Sequence, residues 1–212
     1  KLPLIISLLS LLIVLTPANA DIKVVTSIKP IHSLASYLMD GVGKPDLIVD
    51  GYASPHGFAL KPSHAKMIQN ADLIFWVGED LENFLEKPLK SIAKKAEKIE
   101  LMEIKGLKKL EFRERNIFEG HDDHKDHGHK EDKHDDHHEH AHGEHDPHIW
   151  LDPMNAKVIL SEMAEHLIEK DQENASKYKA NLKNAHKDLD KLTMKVKSEL
   201  NKDFKSIVFH DA

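Results

Sequence analysis

Histidine and carboxylate alternate through residues 121–146 as nowhere else in the chain. His121, His124, His127, His129, His134, His137, His138, His140, His142 and His145 are interleaved with Asp and Glu, and the run ends in Asp146-Pro147-His148-Ile149-Trp150-Leu151-Asp152-Pro153. Imidazole and carboxylate are both ligands for divalent first-row metals, so such a tract is able to hold several ions weakly. It has too little apolar surface to offset the entropy of ordering it, and residues 108–145 are expected to form a mobile loop. The bland alternative is a charged linker; the density of ligands favours auxiliary metal capture.

Three other histidines are sparser and better placed. His56 lies in a Gly/Tyr/Ser/Pro loop after a strand, His148 follows Pro147 in what reads as a short apolar strand, and His210 ends the strand Ser206-Ile207-Val208-Phe209. In open α/β sheets ligands bind beyond the carboxyl ends of the strands, so the three could converge, although spacing alone does not show it. Neutral imidazole suits zinc, and three of them leave a fourth position for water or a carboxylate. His32, His64, His166 and His186 read as surface or helix-face residues, with His64 at most a weak auxiliary donor.

The chain has 212 residues, no cysteine and a net charge of −6. Without thiols there are no disulfides, thiolate ligands or lipidated cysteine, and metal chemistry is restricted to N and O donors. The tract alone carries about −7, leaving the remainder near neutral. Its lysines are scattered among glutamates, which excludes a nucleic-acid surface; a monomer is expected. Leu2 to Leu15 are nearly all apolar or Ser and precede Ala18-Asn19-Ala20. That pattern predicts a secretory signal over residues 1–20, with Asp21 as the expected mature N-terminus; the run is short for the competing reading, a membrane anchor or buried helix.

The elements that must position the histidines alternate between strand and helix. Strands are expected at Ile22 to Ile28, Asp46 to Asp50, Asp72 to Gly78 and Ile99 to Ile104, with helices after Pro30, after Lys61 and through Leu81 to about Lys95, broken at Pro88. The alternation predicts an α/β fold: a parallel sheet with flanking helices as the N-terminal lobe. After Pro153 come a helix through Leu167 and a longer one in which Tyr178, Leu182, Ala185, Leu189, Leu192 and Val196 share a stripe. That long connecting helix leads to the start of a second α/β lobe. The expected division is 21–107 and 146–155 for the first lobe, 108–145 for the loop, 156–203 for the connecting helices and 204–212 for the first strand of the second lobe.

Ser54-Pro55-His56-Gly57-Phe58-Ala59-Leu60-Lys61-Pro62-Ser63, Ala71-Asp72-Leu73-Ile74-Phe75-Trp76-Val77-Gly78, Asp146 to Pro153, Asp171 to Tyr178 and Val208-Phe209-His210-Asp211-Ala212 together resemble the zinc-specific periplasmic binding proteins of ABC-type metal importers. The resemblance implies that His56, His148 and His210 ligate one Zn²⁺ between two lobes, that an ABC membrane permease is the partner, and that the protein works in the periplasm. The His-rich insertion is a feature of zinc members; manganese-binding relatives place a carboxylate at the position of His210. Asp152 and Asp211 are candidates to orient the rings, with helix capping the competing role for Asp152. A whole second lobe follows the third histidine in such proteins, so weaker zinc binding than in a complete relative is expected of residues 1–212, with Ile207, Val208 and Phe209 lacking a sheet to join. Two alternatives stand beside this reading. A His-rich metal buffer would need only the tract and leaves the strand-helix alternation unexplained. A zinc hydrolase would need a general base tied to the ligands, which is not evident, and spacing matches within so biased a tract arise by chance.

Overall fold

The structure is a computed structural model that describes residues 21–111 and 145–200. Four short strands, β1 (Val24–Thr26), β2 (Asp46–Leu47), β3 (Leu73–Trp76) and β4 (Glu97–Glu100), form one parallel sheet in the order β2-β1-β3-β4. Val24, Val25 and all of β3 are buried. Strands covered on both faces need apolar side chains at every position, which is why they read as continuous rather than alternating hydrophobic runs. Ile48 and Val49 continue β2 inward, and their N–H groups donate to Thr26 and Ser27 carbonyls at 3.0 and 2.8 Å.

The helices α1 (Lys29–Leu38), α2 (Pro62–Asn70), α3 (Glu79–Ser91), α4 (Pro153–Lys170) and α5 (Ala175–Glu199) cover the sheet. Proline occupies the first turn of α1, α2 and α4, where a missing N–H costs nothing. All strands run parallel, but the order in which they are added reverses at the β1/β3 boundary, so right-handed crossovers place α1 on one face and α2 with α3 on the other. α4 and α5 join α1. Ile31, Leu38, Phe75, Ile159, Leu167 and Tyr178 are buried between the layers, each worth about 1.5–3 kcal/mol relative to exposure.

Polar groups fasten this helical layer. Asn181 on α5 donates to the carbonyls of Leu38 and Asp40 at 2.8 and 2.9 Å, supplying partners that the end of α1 otherwise lacks. Tyr178, fully buried, donates its hydroxyl to Asp171 at 2.8 Å. Gly41 ends α1 with φ of 72°, a conformation glycine adopts without steric cost.

Several expectations change in detail. The fourth strand is Glu97–Glu100 and gives way to a 3₁₀ turn at Leu101–Glu103. Pro88 does not break α3, which runs to Ser91; the non-helical backbone falls at Glu82 instead, with φ −126° and ψ 48°. His148 does not lie in a strand but precedes a 3₁₀ turn, Ile149–Leu151. The stripe on α5 is only half used: Tyr178 and Ala185 are buried, whereas Leu192 and Val196 are 53% and 42% exposed. The helix outruns the lobe, and its last turns have no element of the described chain to cover them.

Residues 1–20, the histidines from His121 to His142, and the strand expected before His210, with His210 and Asp211 themselves, lie outside the described residues.

Candidate metal centre

His56 and His148 meet beyond the carboxyl ends of the strands. His56 sits in a 3₁₀ turn, Pro55–Gly57, that follows β2 and packs on α3; Ser54 Oγ accepts its N–H at 3.2 Å. Proline fixes the first φ and the serine closes the turn, so a loop residue gains a defined direction. His56 is exposed, and its ring centroid lies 5.8 Å from that of half-buried His148.

His148 is held more firmly. Asp146 Oδ1 accepts both the backbone N–H of His148, at 2.9 Å, and its Nδ1, at 2.7 Å. A carboxylate of this kind only accepts, so Nδ1 carries the proton and Nε2 carries the lone pair of the neutral ring. Trp150 stands edge-on to the imidazole at 5.3 Å, and Pro147 beneath it is buried. A second carboxylate that fixes tautomer and orientation is what metal-ligating histidines recruit.

The sequence pointed to Asp152 for that role, and the structure gives Asp152 the competing one. Its side chain accepts the N–H of Met154 at 2.8 Å and caps α4. Asp146 is the carboxylate that sequence reasoning missed; its position two residues before the histidine, across a proline, was the available signal. His145 lies at the loop's exit, pairing with Glu111 in an isolated antiparallel bridge while Asp146 N–H donates to Leu110 at 2.8 Å. Asn155 bonds both backbone groups of Lys108, at 2.8 and 2.9 Å. The two ends of the His-rich segment are therefore fastened side by side.

His64, read as a surface or helix-face residue, does lie on α2 but is buried, 8% exposed, with its Nδ1 accepting the Lys61 N–H at 3.1 Å and its ring 5.4 Å from Phe58. Burial, helped by Lys61, pushes its pKa down, which keeps it a neutral acceptor at the start of α2. His32 and His186 make backbone contacts, to Pro45 and Lys157 carbonyls at 3.1 and 3.2 Å.

Glu82 is the unforeseen feature of this end. Fully buried, it accepts the Val77 and Gly78 N–H groups at 2.7 and 3.2 Å beside the buried Ser27. These groups follow β3 and β1, so Glu82 plugs the switch point of the sheet. Burial pushes its pKa up to about 7, against the pull of Ser27 and the two N–H groups. Gly78 has φ of 157°, and a β-carbon there would lie 3.0 Å from Glu100 Oε1, so glycine is required.

The α/β lobe thus brings two imidazoles together beyond the strand ends, one of them oriented by a carboxylate. The chain belongs to the family described as ZnuA, zinc-uptake complex component A, periplasmic, whose profile matches residues 24–212. A high-affinity zinc uptake system protein of Brucella abortus (strain 2308) is 46% identical over 206 residues, covering 89% of this chain and 62% of the relative. The corresponding protein of Paracoccus denitrificans (strain Pd 1222) is 37% identical, covering 92% and 63%. The chain thus spans under two thirds of the length of these relatives. Among solved structures, a manganese-bound periplasmic metal binding protein from Candidatus Liberibacter asiaticus matches with a TM-score of 0.63 at 22% identity, over 83% of this chain and 56% of that one. Zinc-bound AdcA of Streptococcus pneumoniae matches with a TM-score of 0.61 at 18% identity, over 83% and 32%. At these identities the two structures establish the fold.

Proposed function

We propose that this chain is the zinc-capturing part of an extracytoplasmic receptor, which takes Zn²⁺ as cargo and passes it to an ABC-type membrane permease without catalysis. The observation that carries the reading is the His56–His148 pair. Two imidazoles sharing a tetrahedral zinc at about 2.0–2.1 Å have ring centroids roughly 5 Å apart. The observed 5.8 Å therefore needs only a small closure of the exposed His56 turn. His148 offers Nε2, and His210 would supply the third imidazole. Neutral ligands leave the ion's charge uncompensated, which gives Asp146, and Asp211 beside His210, an electrostatic role.

On this reading residues 1–20 direct export to the periplasm and the protein acts as a monomer. Residues 21–107 and 146–155 build the first lobe, 108–145 form an accessory capture loop, and 204–212 open the second lobe. Within 156–203, α4 packs on the sheet and the first half of α5 packs on α4 and α1, so the connecting role falls to the later turns of α5. The hydrolase alternative gains one literal motif, His138-Glu139-His140-Ala141-His142. A tract with ten histidines produces such spacings readily, and the motif has meaning only on a helix. The buffer alternative is separated by experiment.

Replacing residues 112–144 with a two-residue Asn-Gly turn preserves the Glu111–His145 bridge. Calorimetric zinc titration of that variant should retain one tight site, which His148→Ala then removes; loss of nearly all uptake with the tract itself would establish a buffer instead. Because imidazole ligands must be deprotonated, zinc affinity should weaken as pH falls through the ordinary histidine range near about 6.5. Equal affinity at about pH 7.5 and 5.5 would count against imidazole ligation.

A further inference from the structure

The opposite end of the sheet carries a second cluster of metal-ligating side chains. Glu97 opens β4, and His166 and Glu169 lie one turn apart on the same face of α4. One donor atom from each of the three lies within 4.8 Å of the others. We propose that Glu97, His166 and Glu169 form a divalent-cation site, independent of the His56–His148 pair and taking a first-row metal ion such as Zn²⁺ or Mn²⁺, with water completing the coordination.

The local geometry supports a shared ion over a simple ion pair. His166 Nδ1 is buried and lies 2.7 Å from Glu97 Oε1, close enough to pair but outside aligned hydrogen-bond geometry. Nitrogen and oxygen lie beside each other without being aimed at each other, as donors do when both face a third body. In a filled zinc site donor atoms lie roughly 3.3 Å apart, given metal–ligand distances of about 2.0–2.2 Å. The contraction required falls to Glu169, which is exposed and free to change rotamer. Glu162, one turn before His166, stands 3.5 Å from Nε2 and orients the ring from its far side.

The charge fits as well. Burial raises the Glu97 carboxyl, but Lys170 and His166 outweigh it and hold its pKa below the usual carboxylate range. Lys170 Nζ sits 3.0 Å from Glu97 Oε2, which leaves Oε1 as the oxygen that turns toward His166. Glu169 also borders a groove of about 950 Å³, whose walls carry Asp21, Asp72, Asp171 and Glu173 against two lysines. A net negative cleft concentrates cations at its mouth. One imidazole and two carboxylates suit zinc and manganese about equally, so this site should discriminate less between them than a three-imidazole site.

The test is Mn²⁺ alone, added to the isotope-labelled chain, with paramagnetic broadening of amide resonances as a local readout that the tract's own ions do not obscure. Amides around residues 97, 166 and 169 should broaden. Glu169→Gln alters only an exposed side chain, leaves the rest of the spectrum in place, and should raise the Mn²⁺ needed by at least about tenfold, as loss of one ligand demands. His166→Ala together with Glu169→Gln should abolish the broadening there. Lys170→Gln, which removes the competing cation, should sharpen binding severalfold. The proposal is overturned if these amides stay sharp at Mn²⁺ concentrations that broaden those around His56 and His148, or if Glu169→Gln leaves the broadening unchanged.

Discussion

The two ends of the sheet each hold a histidine whose Nδ1 lies 2.7 Å from a carboxylate oxygen, and the resemblance stops there. At the carboxyl end, Asp146 is two residues from His148, accepts its backbone N–H as well, and makes a true hydrogen bond. At the amino end, Glu97 comes from a strand and His166 from a helix 69 positions later; the pair lies outside aligned hydrogen-bond geometry, and Lys170 competes for the carboxylate. A turn that closes on itself orients a ring before any metal arrives. A cluster assembled from two packed elements keeps its donors near one another but leaves the last adjustment to the ligand. Pre-organisation of the first kind favours tight, selective binding, and the second kind favours weak and tolerant binding.

The largest effect is expected at His148. Structural zinc sites gain about 10–16 kcal/mol from some four ligands, so on the proposed reading His148→Ala should cost about 2.5–4 kcal/mol, on the order of a hundredfold or more in affinity. Competition with a chromophoric chelator measures it, and Glu169→Gln should leave that affinity untouched. An equal loss in both variants would merge the two sites into one.

Next in size is the buried carboxylate at the switch point. Glu82 has a folded pKa of about 7 against an ordinary 4.5, so the native state holds its proton more tightly than the unfolded chain does. Stability from the protonated form is complete below about pH 4.5, falls as pH rises towards 7, and is flat above; the shift amounts to about 3 kcal/mol. Denaturant unfolding across that window should show the decline, and Glu82→Gln should flatten it. The amino-end cluster offers no comparable buried acid, so Glu97→Gln should leave the slope in place.

A smaller effect separates orientation from capping. Asp146→Asn loses the charged partner of His148 and should weaken zinc binding by roughly 10-fold or more. Asp152→Ala should lower stability by about 1 kcal/mol, the usual cost of a lost N-cap, with zinc affinity unchanged. A drop in zinc affinity for Asp152→Ala would return that residue to the metal site. These two variants differ by six positions, and only local geometry distinguishes them.

Much of this was available in the amino-acid order. The apolar runs around Val24 and Leu73 specify buried parallel strands, because β-branched and aromatic side chains suit a sheet covered on both faces. Pro30, Pro62 and Pro153 specify helix starts through their fixed φ and missing N–H. Asp-Pro-His at 146–148 encodes its own hydrogen bonds, being contained in three residues. His64 was misread because helical spacing does not reveal the Phe58 ring that covers it, and the α5 stripe was over-read because periodicity continues past the point where there is anything to pack against.

What the tertiary structure alone decided follows from distance along the chain. The order β2-β1-β3-β4 brings Ser27, Val77 and Gly78 to one crevice and makes Glu82, an ordinary-looking helix residue, its buried stopper. The same order brings the first residue of β4 beneath the end of α4, so Glu97 meets His166 and Glu169. Local chemistry sets turns, caps and periodic faces because its partners lie within a few residues of each other. Burial of a charge and convergence of ligands depend on which elements pack together, and sequence spacing carries no measure of that.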